Sequence, residues 1–196
     1  MVRITKVYTG GGDQGQTSLV DGTRVAKSDS RMAMIGNCDE VNSWLGMEIM
    51  EINRSNHEGF SEIIAALSRI QNELFDLGAE LACPRDKVPE YMALIGQESS
   101  DRLCDEMDAW NEDLAPLSSF ILPTGSALVS TLHVARCMTR RLERSMVVMK
   151  SELRPLCLQY INRLSDWIFI LARAINSKLG EEETLWVPLG QRISDR

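Results

Sequence analysis

From about residue 31 onward, the hydrophobic positions recur every three or four residues, the period of a helix with one apolar face. Cys38, Val41, Leu45, Ile49 and Ile52 form one stripe and predict a first helix over about 31 to 54, with Asp29 or Ser30 as its cap. Phe60, Ile63, Leu67, Ile70, Leu74, Leu77 and Leu81 alternate strictly by three and four. That pattern predicts a second helix over about 58 to 82, with the seam of a bundle. Pro84 and Pro89 break the chain into a polar connection reaching about residue 96, and a shorter helix over about 98 to 113 ends before Pro116.

The run Leu117 to Ser126 is a non-helical bridge in which Thr124 or Ser126 can cap the next helix. That fourth helix, over about 126 to 150, turns Leu128, Leu132, Ala135, Leu142, Met146 and Met149 inward. Pro155 suits the start of a fifth, running to Gly180 with Ile161, Leu164, Ile168, Leu171 and Ile175 as a further three-four seam. The first thirty residues differ. Val2 to Tyr8 partly alternates, as an extended segment does, and Gly10-Gly11-Gly12-Asp13-Gln14-Gly15 cannot hold a helix. The expected organisation is an amino-terminal segment, 1–30, and a helical bundle, 31–196, in one all-α domain without repeats or linkers.

Composition narrows the function. The 196 residues carry 21 basic and 28 acidic side chains, a net charge of -7, so a broad footprint on nucleic acid or an anionic membrane is excluded and any anion site is local. No run of about 18 apolar residues exists, and the start lacks a secretory signal, so a soluble, cytoplasmic protein is expected. Five cysteines, an odd number without a C-x-x-C pair, read as reduced thiols. With only His57 and His133 available, and neither at ligand spacing from a cysteine, zinc is not expected.

The glycine run literally satisfies G-x-G-x-x-G, yet no helix opens after it and no βαβ unit succeeds it, so the dinucleotide-fold reading fails; the P-loop pattern is absent. What remains is a glycine-rich segment followed by Thr17 and Ser18 and by the cations Arg24 and Lys27. Such a segment either turns consecutive backbone N–H groups toward an anion or is a loose arm. On the fourth helix His133, Arg136, Arg140 and Glu143/Arg144 recur at helical spacing, with Arg141 adjacent. Four arginines within nine residues of an acidic chain suit a polyphosphate through forked hydrogen bonds, or form an ordinary solvated face. Asn162 and Asp166 stand one turn apart on the fifth helix beside Arg163, and either serve that site or tie helices together. Asp39 on the first helix admits the same two readings.

Other chemistries fail on the residues themselves. A di-iron bundle needs Glu-x-x-His on two helices, but Arg54 and Ser130 precede the two histidines by three. No Ser-His-Asp or Cys-His set is arguable, so catalysis by a protein nucleophile is not expected.

Taken together, several blocks resemble the PduO-type ATP:cob(I)alamin adenosyltransferases. They are Tyr8-Thr9 through Gly12-Asp13-Gln14-Gly15 with Thr17-Ser18, then Arg24 and Lys27; Gly36-Asn37-Cys38-Asp39-Glu40-Val41-Asn42-Ser43; Phe120-Ile121-Leu122-Pro123-Thr124-Gly125; Leu132-His133-Val134-Ala135-Arg136 through Arg140-Arg141-Leu142-Glu143-Arg144; and Tyr160-Ile161-Asn162-Arg163-Leu164-Ser165-Asp166-Trp167. They occur in the family's order and span nearly the whole chain.

The resemblance implies a five-helix bundle of ferritin-like up-down topology, assembled as a homotrimer with ATP between neighbouring subunits. It implies that Thr9, Gly10, Gly11, Gly12, Asp13, Thr17, Ser18 and Lys27 wrap the triphosphate, and that Arg140, Arg141, Glu143, Arg144, Asn162 and Asp166 complete the nucleotide site. Asp39 and Arg136 would tie subunits together, and Phe120 would line the corrinoid side and displace the lower ligand of cobalt. The implied substrates are ATP, with Mg on its phosphates, and cobalamin. Implied protein partners are a flavoprotein reductase or an adenosylcobalamin-dependent client enzyme. Family members usually carry Lys-Thr in place of Gly10-Gly11 and often Lys in place of Gln14, so weaker ATP binding is expected here. Two readings without turnover stand beside this one: a cobamide- or nucleotide-binding chaperone, and a purely structural trimer.

Overall fold

The computed structural model describes Tyr8 and residues 10–192; the extended reading of Val2 to Val7 and the assignment of Thr9 lie outside the described residues. Five long helices succeed one another: α1 (Ser30–Ser55), α2 (Ser61–Leu81), α3 (Gln97–Asn111), α4 (Ala127–Val148) and α5 (Pro155–Lys178). Asp29 starts α1 by accepting from the Arg31 amide at 2.8 Å, and α1 ends where Asn56 turns left-handed at φ 53°. Pro155 occupies the first turn of α5, where its missing N–H costs nothing. Ser126 stands at the N-cap of α4 but makes no side-chain cap bond, and the Thr124 hydroxyl bonds Thr184 instead.

Side-chain ties give the directions. Asn37 bonds Ser145 and Glu40 pairs with Arg141, so α1 and α4 run antiparallel. Asn42 and Gln71 exchange bonds across α1 and α2, which are also antiparallel. Glu143 to Asn162 sets α4 against α5, and Gln97 to Gln159 with Trp110 on Trp167 lays α3 parallel to α5. The three-four seams meet in one core in which Leu45, Leu67, Leu74, Leu132, Leu142, Tyr160, Leu164 and Trp167 are fully buried. Tyr160 donates to Glu73, and the Trp167 indole donates to Glu106, which Arg69 also grips with two bonds. The polar atoms that these aromatics carry into the core are thereby satisfied.

Two expectations need correction. The inward residue of α1 between Leu45 and Ile52 is Glu48, at 0% exposure, while Ile49 is only half-buried. Both positions lie within a turn of Leu45, and α2 and α4 flank α1 on two sides, so the packing selects 48 where hydrophobicity selects 49. His133 does not share a solvent face with Arg140: it is 4% exposed, beneath Phe169 of α5 and the bridge that precedes α4.

The amino-terminal segment takes the ordered alternative. β1 (Gln16–Ser18) and β2 (Arg24–Ala26) form an antiparallel hairpin with Thr17 opposite Val25. Leu19 is buried, the Val20 amide bonds Ala82 O at 3.3 Å, and Asp21 pairs with Lys87 at 2.8 Å, so the hairpin is fastened where α2 ends. At the other end of the bundle the bridge pairs with the segment after α5. Leu122 N donates to Thr184 O at 2.8 Å and Trp186 N to Phe120 O at 2.7 Å.

Candidate functional site

The polar face of α4 is graded along its length. Arg136 is half-buried, its guanidinium 6.0 Å from the Phe169 ring centre and its Nε without a hydrogen-bond partner among the described residues. One turn on, Arg140 is exposed, and one further turn on so is Arg144; neither forms an ion pair or hydrogen bond among the described residues. By contrast, the buried guanidiniums of Arg31 and Arg173 are each locked on a carboxylate. Asn162 of α5 donates to Glu143 of α4 at 2.8 Å, and Arg163 donates to Asn162 Oδ1 at 3.1 Å, so the amide is held with its orientation set beside Arg140.

Asp166 sits one turn beyond Asn162. Its side chain is largely exposed and lies 4.0 Å from Arg163, while partial desolvation at the helix surface holds its carboxyl above the usual carboxylate range against the pull of Arg163 and Arg140. Arg141 points the other way around α4 and pairs with Glu40 of α1, so within one protomer it acts as a tie between helices. Asp39 is exposed on α1 and makes no side-chain bond among the described residues, and Arg136 is not its partner within the protomer.

The glycine loop folds onto its own hairpin. Asp13 N donates to Gly10 O at 3.3 Å and Gly15 N to Gly12 O at 3.1 Å, two tight turns for which Gly10 and Gly15 supply φ of 73° and 79°. Arg24 clamps the loop with bonds to Gly11 O at 2.7 Å and Ser18 Oγ at 3.2 Å. The Lys27 ammonium lies so close that a Cβ on Gly12 would meet it at 3.1 Å. A cation therefore stands over a turn whose glycines leave the backbone uncovered, with Thr17 and Ser18 on the adjoining strand. Among the described residues no hydrogen bond or ion pair joins this loop to the α4 arginines. The residues singled out from the sequence thus fall into two groups, one on the hairpin fastened where α2 ends and one, with the cations, on α4 and α5.

Phe120 stands apart from both. Its ring is 79% exposed at the bridge and meets Trp186 edge-on with centroids 6.2 Å apart. Leu117, Leu122, Leu185 and Leu189, in the same bridge and the segment after α5, are also exposed. Phe169 and Trp186 were not selected from the sequence. Phe169 falls between apolar seam positions of α5, and Trp186 lies in a segment without periodicity, so only their contacts with Arg136 and Phe120 mark them.

The buried thiols Cys38 and Cys157 are not activated nucleophiles. Burial pushes the Cys38 and Cys157 thiols up to about 12, and the His133 imidazole is held below its ordinary value by burial and by Arg136. Nor does any group of three His, Cys, Asp or Glu side chains among the described residues form a metal cage.

The exposed arginines of α4 and the lysine over the glycine turn place cations on surfaces suited to an anionic ligand. The Cobalamin adenosyltransferase family matches the chain over residues 7–175, and the chain belongs to that family. It is 42% identical over 198 aligned positions to the corrinoid adenosyltransferase of Mycobacterium leprae, covering 96% of this chain and 99% of that protein. It is 42% identical over 177 positions to the Bacillus subtilis corrinoid adenosyltransferase, covering 89% of each. Among solved structures, a phenylalanine-to-alanine variant of the PduO-type ATP:corrinoid adenosyltransferase from Lactobacillus reuteri, complexed with cobalamin and ATP, superposes with a TM-score of 0.85 at 34% identity, covering 93% of this chain and 100% of that one.

Proposed function

We infer that the chain transfers the 5′-deoxyadenosyl group of ATP to cob(I)alamin, giving adenosylcobalamin and triphosphate. The observation that carries this is the arginine face: Arg140 and Arg144 are exposed and form no hydrogen bond or ion pair among the described residues, beside a fixed Asn162, on a chain with a net charge of -7. A triphosphate supplies the missing counter-charge through forked, charge-assisted hydrogen bonds. Among the described residues no hydrogen bond or ion pair joins the glycine loop to the α4 arginines, which supports a homotrimer of ferritin-like bundles in which the glycine loop of one subunit closes on the α4 face of the next. Exposed Asp39 then meets Arg136 across the same boundary and satisfies its unpartnered Nε.

Cobalt attacks the 5′ carbon, a carbon–cobalt bond forms, and the carbon–oxygen bond breaks with its electron pair leaving on the triphosphate. The substrate brings the nucleophile, so the protein's work is alignment and charge stabilisation. Good alignment is worth roughly 7 to 11 kcal/mol in favourable intramolecular reactions. Arg140 and Arg144, with the loop amides and Lys27, are placed to receive charge growing on the departing phosphates. Magnesium, when bound, adds Lewis-acid neutralisation of those oxygens. Between Gly10 and Val20 the chain offers one carboxylate, Asp13, so the ion travels chiefly on the phosphates. Phe120 projects an apolar ring that excludes water and a lower ligand from cobalt. Reduced thiols and a reduced corrinoid fit the cytoplasm, with a flavoprotein reductase upstream and an adenosylcobalamin-dependent client downstream.

An anaerobic assay with reduced corrinoid and ATP, followed by absorbance and triphosphate release, tests the proposal. Product supports it; binding of both substrates without product favours a cofactor chaperone, and absence of binding favours a scaffold.

A further inference from the structure

Phe120 is held by little around its ring. At 79% exposure, its one aromatic neighbour among the described residues is Trp186, itself partly exposed, so its position is set by backbone. That backbone is a two-stranded ribbon of minimal length, Phe120–Thr124 against Thr184–Trp186, with an antiparallel bridge between Ile121 and Leu185. Ser119 Oγ adds a bond to Trp186 O at 3.0 Å and Thr124 Oγ1 one to Thr184 Oγ1 at 3.2 Å. An isolated ribbon this short is not stable in water.

Buried side chains of α5 support it, Arg173 foremost by number of bonds. Arg173, on α5 and 7% exposed, donates from Nε to Glu183 Oε1 at 2.6 Å and from the terminal nitrogen to Glu183 Oε2 at 3.3 Å and to Ala115 O at 2.7 Å. A single buried guanidinium therefore grips the chain just before one strand and the chain leading into the other. Asn176, one turn on, adds a bond to Glu181 O at 2.8 Å. His133 closes the small cavity between this grip and the ribbon, its Nδ1 buried and unpartnered.

We propose that the Arg173–Glu183 pair is a latch that positions Phe120, making both side chains positioning residues for the corrinoid and not for the nucleotide. The proposal rests on the adenosyl-transfer reading. The separation is geometric: Arg173 lies eleven residues along α5 from Asn162, about 16 Å of helix. Loosening the latch therefore leaves Arg140, Arg144 and Asn162 in place. An aromatic wedge that must hold one face of cobalt bare tolerates little wandering, since misplacement by about 1 Å can cost on the order of a hundredfold. A purely structural ion pair predicts something else, a general loss of folded protein with both substrates affected alike.

The test uses the full chain carrying Arg173→Lys or Glu183→Gln, which keep size and one bond while removing the fork. Three quantities are read: amide exchange at Leu122 and Trp186, the Michaelis constants for ATP and reduced corrinoid, and the fraction of bound cob(II)alamin with its lower ligand off, by absorbance. Exchange at the two amides is expected to rise about tenfold against unchanged α4 and α5 amides. The corrinoid constant should rise about tenfold and the lower-ligand-off fraction should fall, while the ATP constant stays within about twofold. Adding the second substitution to the first should change little further, because the latch is already open. Unaltered exchange at Leu122 and Trp186 overturns the proposal, as does an equal rise in both constants. If the unsubstituted chain makes no adenosylcobalamin, the adenosyl-transfer reading fails separately, and the exchange data still decide whether the latch holds the ribbon.

Discussion

Glu48 offers a direct measurement of what the core costs this protein. Its carboxylate is fully buried on the seam of α1, neither oxygen has a hydrogen-bond partner among the described residues, and Glu51 lies a turn away with the same charge. Burial first, and Glu51 second, push its carboxyl from 4.5 up to about 8. At neutral pH the folded chain therefore keeps a proton that the unfolded chain releases. A tenfold change in proton activity is worth about 1.4 kcal/mol, so holding that proton at pH 7 costs roughly 3 kcal/mol of stability, rising to about 5 kcal/mol above pH 8. Because the folded value is raised, the contribution is complete below pH 4.5 and lost progressively as pH climbs toward 8.

Glu48→Met replaces the group with an apolar side chain of similar length and removes this dependence. Thermal unfolding of both proteins at pH 5, 7 and 8.5 is the assay. The variant should melt close to the parent at pH 5 and about 6 to 12 °C higher at pH 7, with a wider gap at 8.5. Glu48→Gln should lose the pH dependence but gain less, because its amide donors are buried without acceptors. A stability difference between parent and methionine variant that does not change with pH refutes the argument.

Further outcomes concern the two residue groups and the thiols. Arg140→Ala should lower kcat/KM for adenosyl transfer at least about a hundredfold while leaving the melting temperature within a few degrees, since the side chain is exposed and makes no bond among the described residues; unchanged turnover sinks its role. Gly10→Lys, which restores a cation at the loop, should tighten ATP binding in calorimetric titration but lower the melting temperature, because φ 73° costs a non-glycine residue about 1 kcal/mol; no gain in affinity removes the missing-cation account. The chain should sediment as three copies of 22.0 kDa, and Asp39→Arg should yield monomers; a monomeric parent refutes the shared site. With iodoacetamide at pH 8, exposed Cys137 should label quickly, and Cys38 and Cys157, buried with thiols near 12, should label only on unfolding.

The sequence by itself determined the five helices, because apolar spacing of three and four is a direct record of which side must be buried, and proline, glycine and Asp29 mark the ends. It also singled out the arginines of α4, since a local excess of cations on an acidic chain needs no structure to be seen. The resemblance of ordered blocks carried the reading as far as the family. Only the tertiary structure decided which of two adjacent positions enters the core, putting Glu48 inside and Ile49 at its edge, because that choice depends on where α2 and α4 press against α1. It alone separated Arg141, tied to Glu40, from Arg140 one residue earlier, which forms no ion pair or hydrogen bond among the described residues. The Arg173–Glu183 grip lies in the same category: ten residues apart in the chain, the two meet through the turn after α5, and pairing set by chain reversal leaves no periodic trace to read.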